Sequence, residues 1–155
     1  MGSSLTTTYG EWSQAYREIG SGLADYFPCS FNNKQWFGEI AARGPLKEVI
    51  NKPYIRDLGN DRKFTKGPPN ASPYAAPQDG GEIWGGAFWE MRKLLGQATA
   101  DKLLFSTWVA LQPSDTRENE RVGFVRKLLD MVPSSTGRNH VRQIQAIFER
   151  RGLKF

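Results

Sequence analysis

The sequence is poor in cysteine and histidine, the residue types that most often carry nucleophilic, redox and metal chemistry. Its 155 residues include one cysteine, Cys29, and one histidine, His140. A single cysteine can form neither an intrachain disulfide nor a thiolate metal cluster. A single histidine excludes a His-Glu-x-x-His zinc site, a two-histidine iron triad and a three-histidine zinc centre within this chain. We interpret Cys29 as a small buried hydrophobic residue.

Long apolar segments are missing as well. No run approaches the ~20 residues that a membrane-spanning helix needs, so we expect no membrane partner. The polar start, Met1–Thr8, lacks the basic residues and the apolar core of a signal peptide, and we expect residues 1–8 to be flexible. The compartment stays open: extracellular if the chain is cut from a secreted parent, otherwise cytoplasmic.

The sequence does contain enough apolar residues for one core, together with a surplus of positive charge. Apolar residues make up 39% and charged residues 24%, which predicts a single domain over residues 1–155. The net charge is +5, and residues 115–155 hold nine Arg or Lys against five Asp or Glu. A basic surface can bind nucleic acid or an acidic partner. A solvated helix surface explains the same charges, and no nucleic-acid-binding motif accompanies them.

The N-terminal part has the apolar spacing of helices. Residues 11–27 repeat apolar side chains at three- and four-residue steps, and Pro28 is predicted to end this helix. Gly20 and Gly22 interrupt it, each at a cost of about 1 kcal/mol relative to alanine. Such a pair indicates the close approach of another backbone or a ligand, or a break between two helices. A shorter helix is predicted over Gln35–Arg43.

The remaining sequence predicts one long loop and then a series of helices. Residues 51–81 hold five prolines and four glycines without periodicity, which is typical of an irregular and often functional loop. The helices after it are expected to start at capping signals, namely Asp79 with Glu82, Thr99, and Asp115 with Glu118. The last helix is predicted over Arg138–Arg151. The expected fold is therefore all-α, a bundle of about five to six helices with one long irregular loop.

Two segments occur in an order known from one protein family. Residues 22–27 read Gly-Leu-Ala-Asp-Tyr-Phe, and residues 81–96 read Gly-Glu-Ile-Trp-Gly-Gly-Ala-Phe-Trp-Glu-Met-Arg-Lys-Leu-Leu-Gly. The proline- and glycine-rich stretch between them contains Asp-Leu-Gly-Asn at 57–60. This arrangement resembles the helical C-terminal lobe of thermolysin- and fungalysin-like zinc metallopeptidases (gluzincins). The resemblance spans nearly the whole chain.

The resemblance implies a zinc site that this sequence does not complete. In the family, the C-terminal lobe supplies a glutamate ligand, an aspartate four residues later that orients a ligating histidine, and a histidine that stabilises the tetrahedral intermediate. Asp25 matches the aspartate, but Ser21 stands at the ligand position and Gln78 at the histidine position. Glu18, about one turn before Ser21, is the candidate for a substitute ligand, but it would lie about 5 Å along the helix from the required place. The His-Glu-x-x-His helix is missing, and His140 matches no catalytic position.

The same residues also have structural interpretations. Asp25 can cap a helix end, Ser21 can allow a neighbouring helix to approach, and Gln78 with Asp79 can cap the next helix. Trp84 has the spacing of a core residue. No Gly-x-Ser-x-Gly elbow, Walker motif or dinucleotide-binding glycine pattern is present. The residues predicted to contribute to binding are Asp79, Glu82 and Trp84.

The sequence therefore predicts a non-catalytic, metallopeptidase-like helical domain that binds a protein or peptide. Self-association is one form of this, since loss of the N-terminal lobe exposes apolar surface. We expect no cofactor, and zinc only if a partner lobe or an unforeseen site supplies ligands. One alternative is a part of a split or truncated zinc metallopeptidase that hydrolyses peptides with a partner lobe. A second is a basic helical nucleic-acid-binding module, although nucleic acid is not the partner that we expect.

Overall fold

Six helices and one short strand pair make up the computed structural model, which describes residues 14–64, 76–112, 120–133, 135 and 137–154. The helices are α1 (Gln14–Asn32), α2 (Glu39–Arg43), α3 (Ala76–Leu95), α4 (Gln97–Ala110), α5 (Glu120–Asp130) and α6 (Arg138–Arg150). The strands are β1 (Trp36–Phe37) and β2 (Arg56–Asp57). The predicted all-α helical bundle is confirmed. The predictions for residues 1–8 and for Asp115 with Glu118 lie outside the described residues.

Membrane-spanning helices are not found among these elements. Within the described ranges, no helix combines the length and the apolar character that crossing a bilayer requires. The longest helices, α1 and α3, have 19 and 20 residues. Both carry charged side chains along their length.

Helix α1 continues past Pro28, so the predicted stop at this proline is wrong. Proline removes one backbone donor, which would have bonded to the carbonyl of Ala24. Both residues are exposed, so water can reach the freed carbonyl. The helix ends at Asn33, whose φ of 53° is left-handed, and the Lys34 N–H donates to the Cys29 carbonyl at 3.0 Å. Burial of Cys29 holds this last turn against the core.

The helix predicted over Gln35–Arg43 is wrong in its first part, where β1 forms instead. β1 pairs antiparallel with β2, with Trp36 opposite Asp57. The Ile55 N–H donates to the Phe37 carbonyl at 2.9 Å, which extends the pair. Strand pairing joins segments that are distant in sequence, so local helical periodicity contains no sign of it. Only the second part of the predicted helix survives, as α2.

Two helix starts also differ from the predicted ones. α3 begins at Ala76, inside the segment 51–81 that was predicted to be irregular, and so it begins before the capping box at Asp79. α4 follows Gly96, whose φ of 81° and ψ of 157° only glycine adopts readily. The predicted cap Thr99 lies inside the first turn of α4. A start that depends on the backbone freedom of a glycine leaves no capping side chain for a sequence pattern to detect.

The core lies between α1 and α3, and Trp84 is at its centre. These two helices make the most extensive contact of the fold. The Trp84 side chain is fully buried. Four phenylalanine rings surround it at centroid distances of 5.1 to 5.8 Å: Phe64, Phe88, Phe124 and Phe148. One aromatic cluster thus joins α3, α5, α6 and the loop before α3.

Candidate functional site

Helices α1 and α3 touch through their backbones at a seam of glycines. A Cβ atom at Gly22 would overlap the Cβ of Trp84, and it would lie 3.0 Å from both the Gly81 carbonyl oxygen and the Gly85 nitrogen, which is tighter than most real Cβ contacts. Of the interpretations of the Gly20 and Gly22 pair, the close approach of another backbone is confirmed at Gly22. The seam therefore holds the neighbouring positions of α1 at a fixed distance from α3.

The two α1 positions singled out by the peptidase resemblance, Ser21 and Asp25, lie one turn apart along this seam. Ser21 is half-buried against Gly81, where a Cβ would be 2.7 Å from the serine Cβ. Asp25 lies against Gly85, where a Cβ would be 3.7 Å from the aspartate Cβ. The third such position, Gln78, lies on α3 about one turn before Gly81, and its side chain is outside the described part of the chain.

Asp25 is buried with incomplete electrostatic compensation. It is 9% exposed, and the Arg56 Nε lies 3.4 Å from its Oδ2, close enough for an ion pair. Among the described residues, this oxygen accepts no hydrogen bond. Burial raises the pKa of Asp25 to about 6, against the opposing charge of Arg56 and with a further increase from Glu82. The carboxyl group therefore changes its charge at mildly acidic pH.

We expect Asp25→Asn to remove a pH dependence of stability. The pKa of the folded state, about 6, lies above the unfolded value of about 3.9, so the folded protein binds this proton more tightly. Stability from this group is therefore lost as the pH rises from about 4 through 6. The free energy of unfolding of the variant minus that of the wild type should increase by about 2–3 kcal/mol over this range, as measured by urea unfolding.

Asp130→Asn is the matched control, since it removes one carboxylate at an exposed position of α5. The free energy of unfolding of this control minus that of the wild type should change by less than about 0.5 kcal/mol over the same pH range. If the free energy of unfolding of Asp25→Asn minus that of the wild type did not change with pH, this would contradict the conclusion that burial raises the pKa of Asp25.

Glu18, the substitute ligand before Ser21, is engaged by an arginine. Its side chain is 2% exposed and accepts three hydrogen bonds from Arg121 of α5: from Nε to Oε2 at 3.1 Å, and from Nη2 to Oε1 at 3.2 Å and to Oε2 at 3.0 Å. The Arg121 guanidinium also lies 4.8 Å from the centroid of the Phe64 ring. The Glu18 side chain packs on Gly80, where a Cβ would be 2.5 Å from the carboxyl carbon. In this arrangement Glu18 ties α1 to α5.

The three residues that were predicted to contribute to binding differ in their burial and in their contacts. Trp84 is fully buried, so a partner cannot reach it and it acts as a core residue. Glu82 is half-buried and forms an ion pair with Arg62. Its carbonyl accepts a hydrogen bond from the Asn60 side chain at 3.1 Å, so Glu82 holds the preceding loop to α3. Asp79 lies in the first turn of α3, and its side chain is outside the described part.

Metal-ligating and nucleophilic groups are sparse here. The described ranges contain no group of three or more histidine, cysteine or acidic side chains arranged to hold a metal ion. Ser21 offers a neutral hydroxyl, which is a poorer zinc ligand than a carboxylate. Cys29 is buried, and burial raises the pKa of its thiol to about 12, so the reactive thiolate is not formed at neutral pH.

A face of α1 that the sequence analysis missed is exposed and carries little charge. Its positions recur at steps of three and four residues: Arg17, Ser21, Ala24, Pro28 and Phe31. We name these five residues the α1 face. Ser21 is half-buried and the other four are exposed, with Phe31 at 85%. The interpretation of Pro28 as a helix end concealed this face, because the spacing reaches Phe31 only if the helix continues.

The positive charge of the C-terminal third is partly neutralised. Arg121 pairs with Glu18 at 3.0 Å, and Arg150 and Arg151 pair with Glu90 at 2.8 and 2.5 Å. Paired arginines have less charge to offer to phosphates. The described residues therefore add no support to nucleic-acid binding.

Comparisons with known proteins assign no family to the chain. No family model, no curated protein and no solved structure matches it. The peptidase resemblance consequently rests on the two sequence motifs.

Proposed function

We propose that the chain is a non-catalytic protein-binding domain, similar to the helical lobe of thermolysin- and fungalysin-like peptidases, that binds its partner through the α1 face. The observation that carries this proposal is the exposure of Phe31, at 85%, at the end of that face. Burying a phenylalanine side chain contributes about 1.5–3 kcal/mol. Binding energy in protein interfaces is concentrated in a few such side chains.

The rest of the α1 face suits the close approach of a helix or an extended peptide. Ser21 and Ala24 in its middle have small side chains, and Pro28 adds no charge. Arg17 at the far end is the one charged residue of the face. A weakly polar centre with charge at the edge is the usual composition of protein interfaces.

The peptidase resemblance points to the same face. Position 21 corresponds to the zinc-ligand position of that family, where this part of the helical lobe meets the N-terminal lobe. Position 21 belongs to the α1 face, so this is the surface on which we place the partner. The partner is a different protein, a peptide or a second copy of this chain.

The alternative is a zinc peptidase that a partner lobe completes. The partner would then contain His-Glu-x-x-His, and zinc would polarise the scissile carbonyl and activate a water molecule. With Ser21 at the ligand position, the assembled site would have one protein ligand too few, which weakens metal binding. We propose no cofactor for the chain alone.

Phe31→Ser should weaken partner binding by about 30-fold, the loss of a strong interface contact. Phe105→Ser is the matched control, because Phe105 is 59% exposed on α4 and does not belong to the α1 face; it should change the affinity by less than about threefold. A photo-crosslinking residue at position 24 identifies the partner, and fluorescence anisotropy with the purified partner then gives the affinities. Circular dichroism checks that both variants fold.

The outcomes of the crosslinking and affinity measurements distinguish the proposed binding function from the split peptidase. A partner that crosslinks from position 24 and depends on Phe31 supports the proposal, and a crosslink between two copies identifies the partner as the chain itself. A partner that carries His-Glu-x-x-His and hydrolyses peptides with zinc in the complex would replace the non-catalytic function with the split peptidase. Equal losses for Phe31→Ser and Phe105→Ser would overturn the assignment of the α1 face.

A further inference from the structure

A pocket of about 490 Å³ lies between the end of α2 and the segment that follows it. Three cationic side chains line it, those of Arg43, Lys47 and Lys52, beside the apolar side chains of Ile50 and Pro53. The volume falls within the range of sites that bind small molecules or a few side chains. We name it the basic pocket.

The cations of the basic pocket have no acidic partner within the described part of the chain. No carboxylate lines the pocket, and none of the ion pairs there involves Arg43, Lys47 or Lys52. Other cations are paired, such as Arg56 with Asp25. Like charges around one hollow repel each other, and a bound anion would relieve this repulsion.

Backbone hydrogen bonds hold the frame of the basic pocket. The Leu46 N–H donates to the Ala41 carbonyl at 2.9 Å, and the Ile50 N–H donates to the Leu46 carbonyl at 2.7 Å. The Lys47 N–H donates to the Gly44 carbonyl at 3.1 Å. A frame that is already ordered adds little entropy cost to ligand binding.

We propose that the basic pocket binds the carboxylates of an acidic peptide segment that also carries apolar side chains. The exposed Ile40 and Val49, at 90% and 81%, lie on the same short stretch of chain and provide apolar surface for such a peptide. Complementary charge sets the orientation and the apolar contacts add affinity. None of these residues belongs to the α1 face, so this inference goes beyond the proposed function.

The probe is a fluorescein-labelled peptide, Glu-Glu-Leu-Glu-Glu-Leu. Its fluorescence anisotropy is measured as the full chain is added at about 50 mM salt, where charge interactions are weakly screened. Lys47→Glu should weaken binding by at least about tenfold, because it places a carboxylate inside the pocket. Lys102→Glu makes the same charge change at an exposed position of α4 and should alter the affinity by less than about twofold. Phe31→Ser should leave peptide binding unchanged, which separates this site from the α1 face.

Three results would overturn the proposal. Equal losses for Lys47→Glu and Lys102→Glu would mean that only the overall positive charge attracts the peptide. Displacement of the peptide by an equal concentration of inorganic phosphate would make the pocket a simple anion site. Binding of phosphatidylserine vesicles through Lys47, without binding of the peptide, would assign the surface to a membrane. Circular dichroism of each variant checks the fold.

Discussion

Replacing Gly22 by alanine is expected to lower the free energy of unfolding by about 3 kcal/mol. The new Cβ would lie 3.0 Å from the carbonyl oxygen of Gly81 and 3.0 Å from the nitrogen of Gly85. Both are backbone atoms that cannot move independently of α3. The two helices would have to separate, which loosens the core around Trp84, since protein interiors are close-packed. Urea unfolding followed by tryptophan fluorescence measures the loss.

Gly20→Ala, two residues earlier on the same helix, is the matched control. We expect it to be neutral or to stabilise the protein by up to about 1 kcal/mol, because alanine has the higher helix propensity. Among the described residues, its Cβ would approach only the Trp108 ring, 3.2 Å from Cη2 and 3.7 Å from Cζ2. This ring is half-buried and stacks on Tyr16, so it can shift slightly. Equal effects of alanine at Gly20 and Gly22 would contradict the role of the seam.

Arg151→Ala is expected to destabilise the protein by about 3–5 kcal/mol, the cost of breaking a buried charge network. Arg151 is 2% exposed, and its guanidinium makes five hydrogen bonds. Two go to the Glu90 carboxylate, at 3.2 and 2.5 Å. Two more reach the side chain and the carbonyl of Asn60, at 3.2 and 2.7 Å, and the fifth reaches the Arg62 carbonyl at 3.0 Å. Without them, Glu90, Asn60 and the Arg62 carbonyl lose these donors, and the loop before α3 loses its attachment to α6.

Arg150→Ala tests whether burial is the cause of this large effect. Arg150 precedes Arg151 and pairs with the same carboxylate of Glu90 at 2.8 Å, but its side chain is 62% exposed. Exposed ion pairs contribute little, so we expect a loss below about 1 kcal/mol. Arg151→Lys should lose nearly as much as Arg151→Ala, since one ammonium group cannot replace the five hydrogen bonds of the guanidinium. Urea unfolding measures all three, and similar losses for Arg150→Ala and Arg151→Ala would count against the network.

Helices were predictable where the apolar period is carried by residues close in sequence. The last helix, predicted over Arg138–Arg151, extends over Arg138–Arg150. Of the apolar residues that its periodicity places on one face, Ile144, Ile147 and Phe148 are buried and Val141 is half-buried. Helix α3 ends at Leu95, directly before Gly96, a residue type that is typical of helix ends. These helices depend on apolar residues spaced three and four positions apart, and this spacing can be seen in the sequence.

The candidate site was predictable in its positions and not in its partners. The motifs singled out Ser21, Asp25 and Glu18, and the structure describes all three on α1. The arginines that pair with Asp25 and Glu18, Arg56 and Arg121, come from distant segments. The spacing of residues within one segment does not predict ion pairs between distant segments. The exposed end of the α1 face was missed because a proline inside a helix normally ends it.

The sequence by itself determined the helical class, the apolar faces of the later helices, and the exclusion of disulfides and of a His-Glu-x-x-His site. Only the tertiary structure decided that Gly22 must stay a glycine while Gly20 need not, and that Arg151 is buried while Arg150 is exposed. The physical reason is the same in both pairs. Neighbours in sequence share composition and propensity, whereas the cost of a side chain depends on the atoms that distant segments bring against it. Those atoms are known only once α1, α3 and the loop between them are packed together.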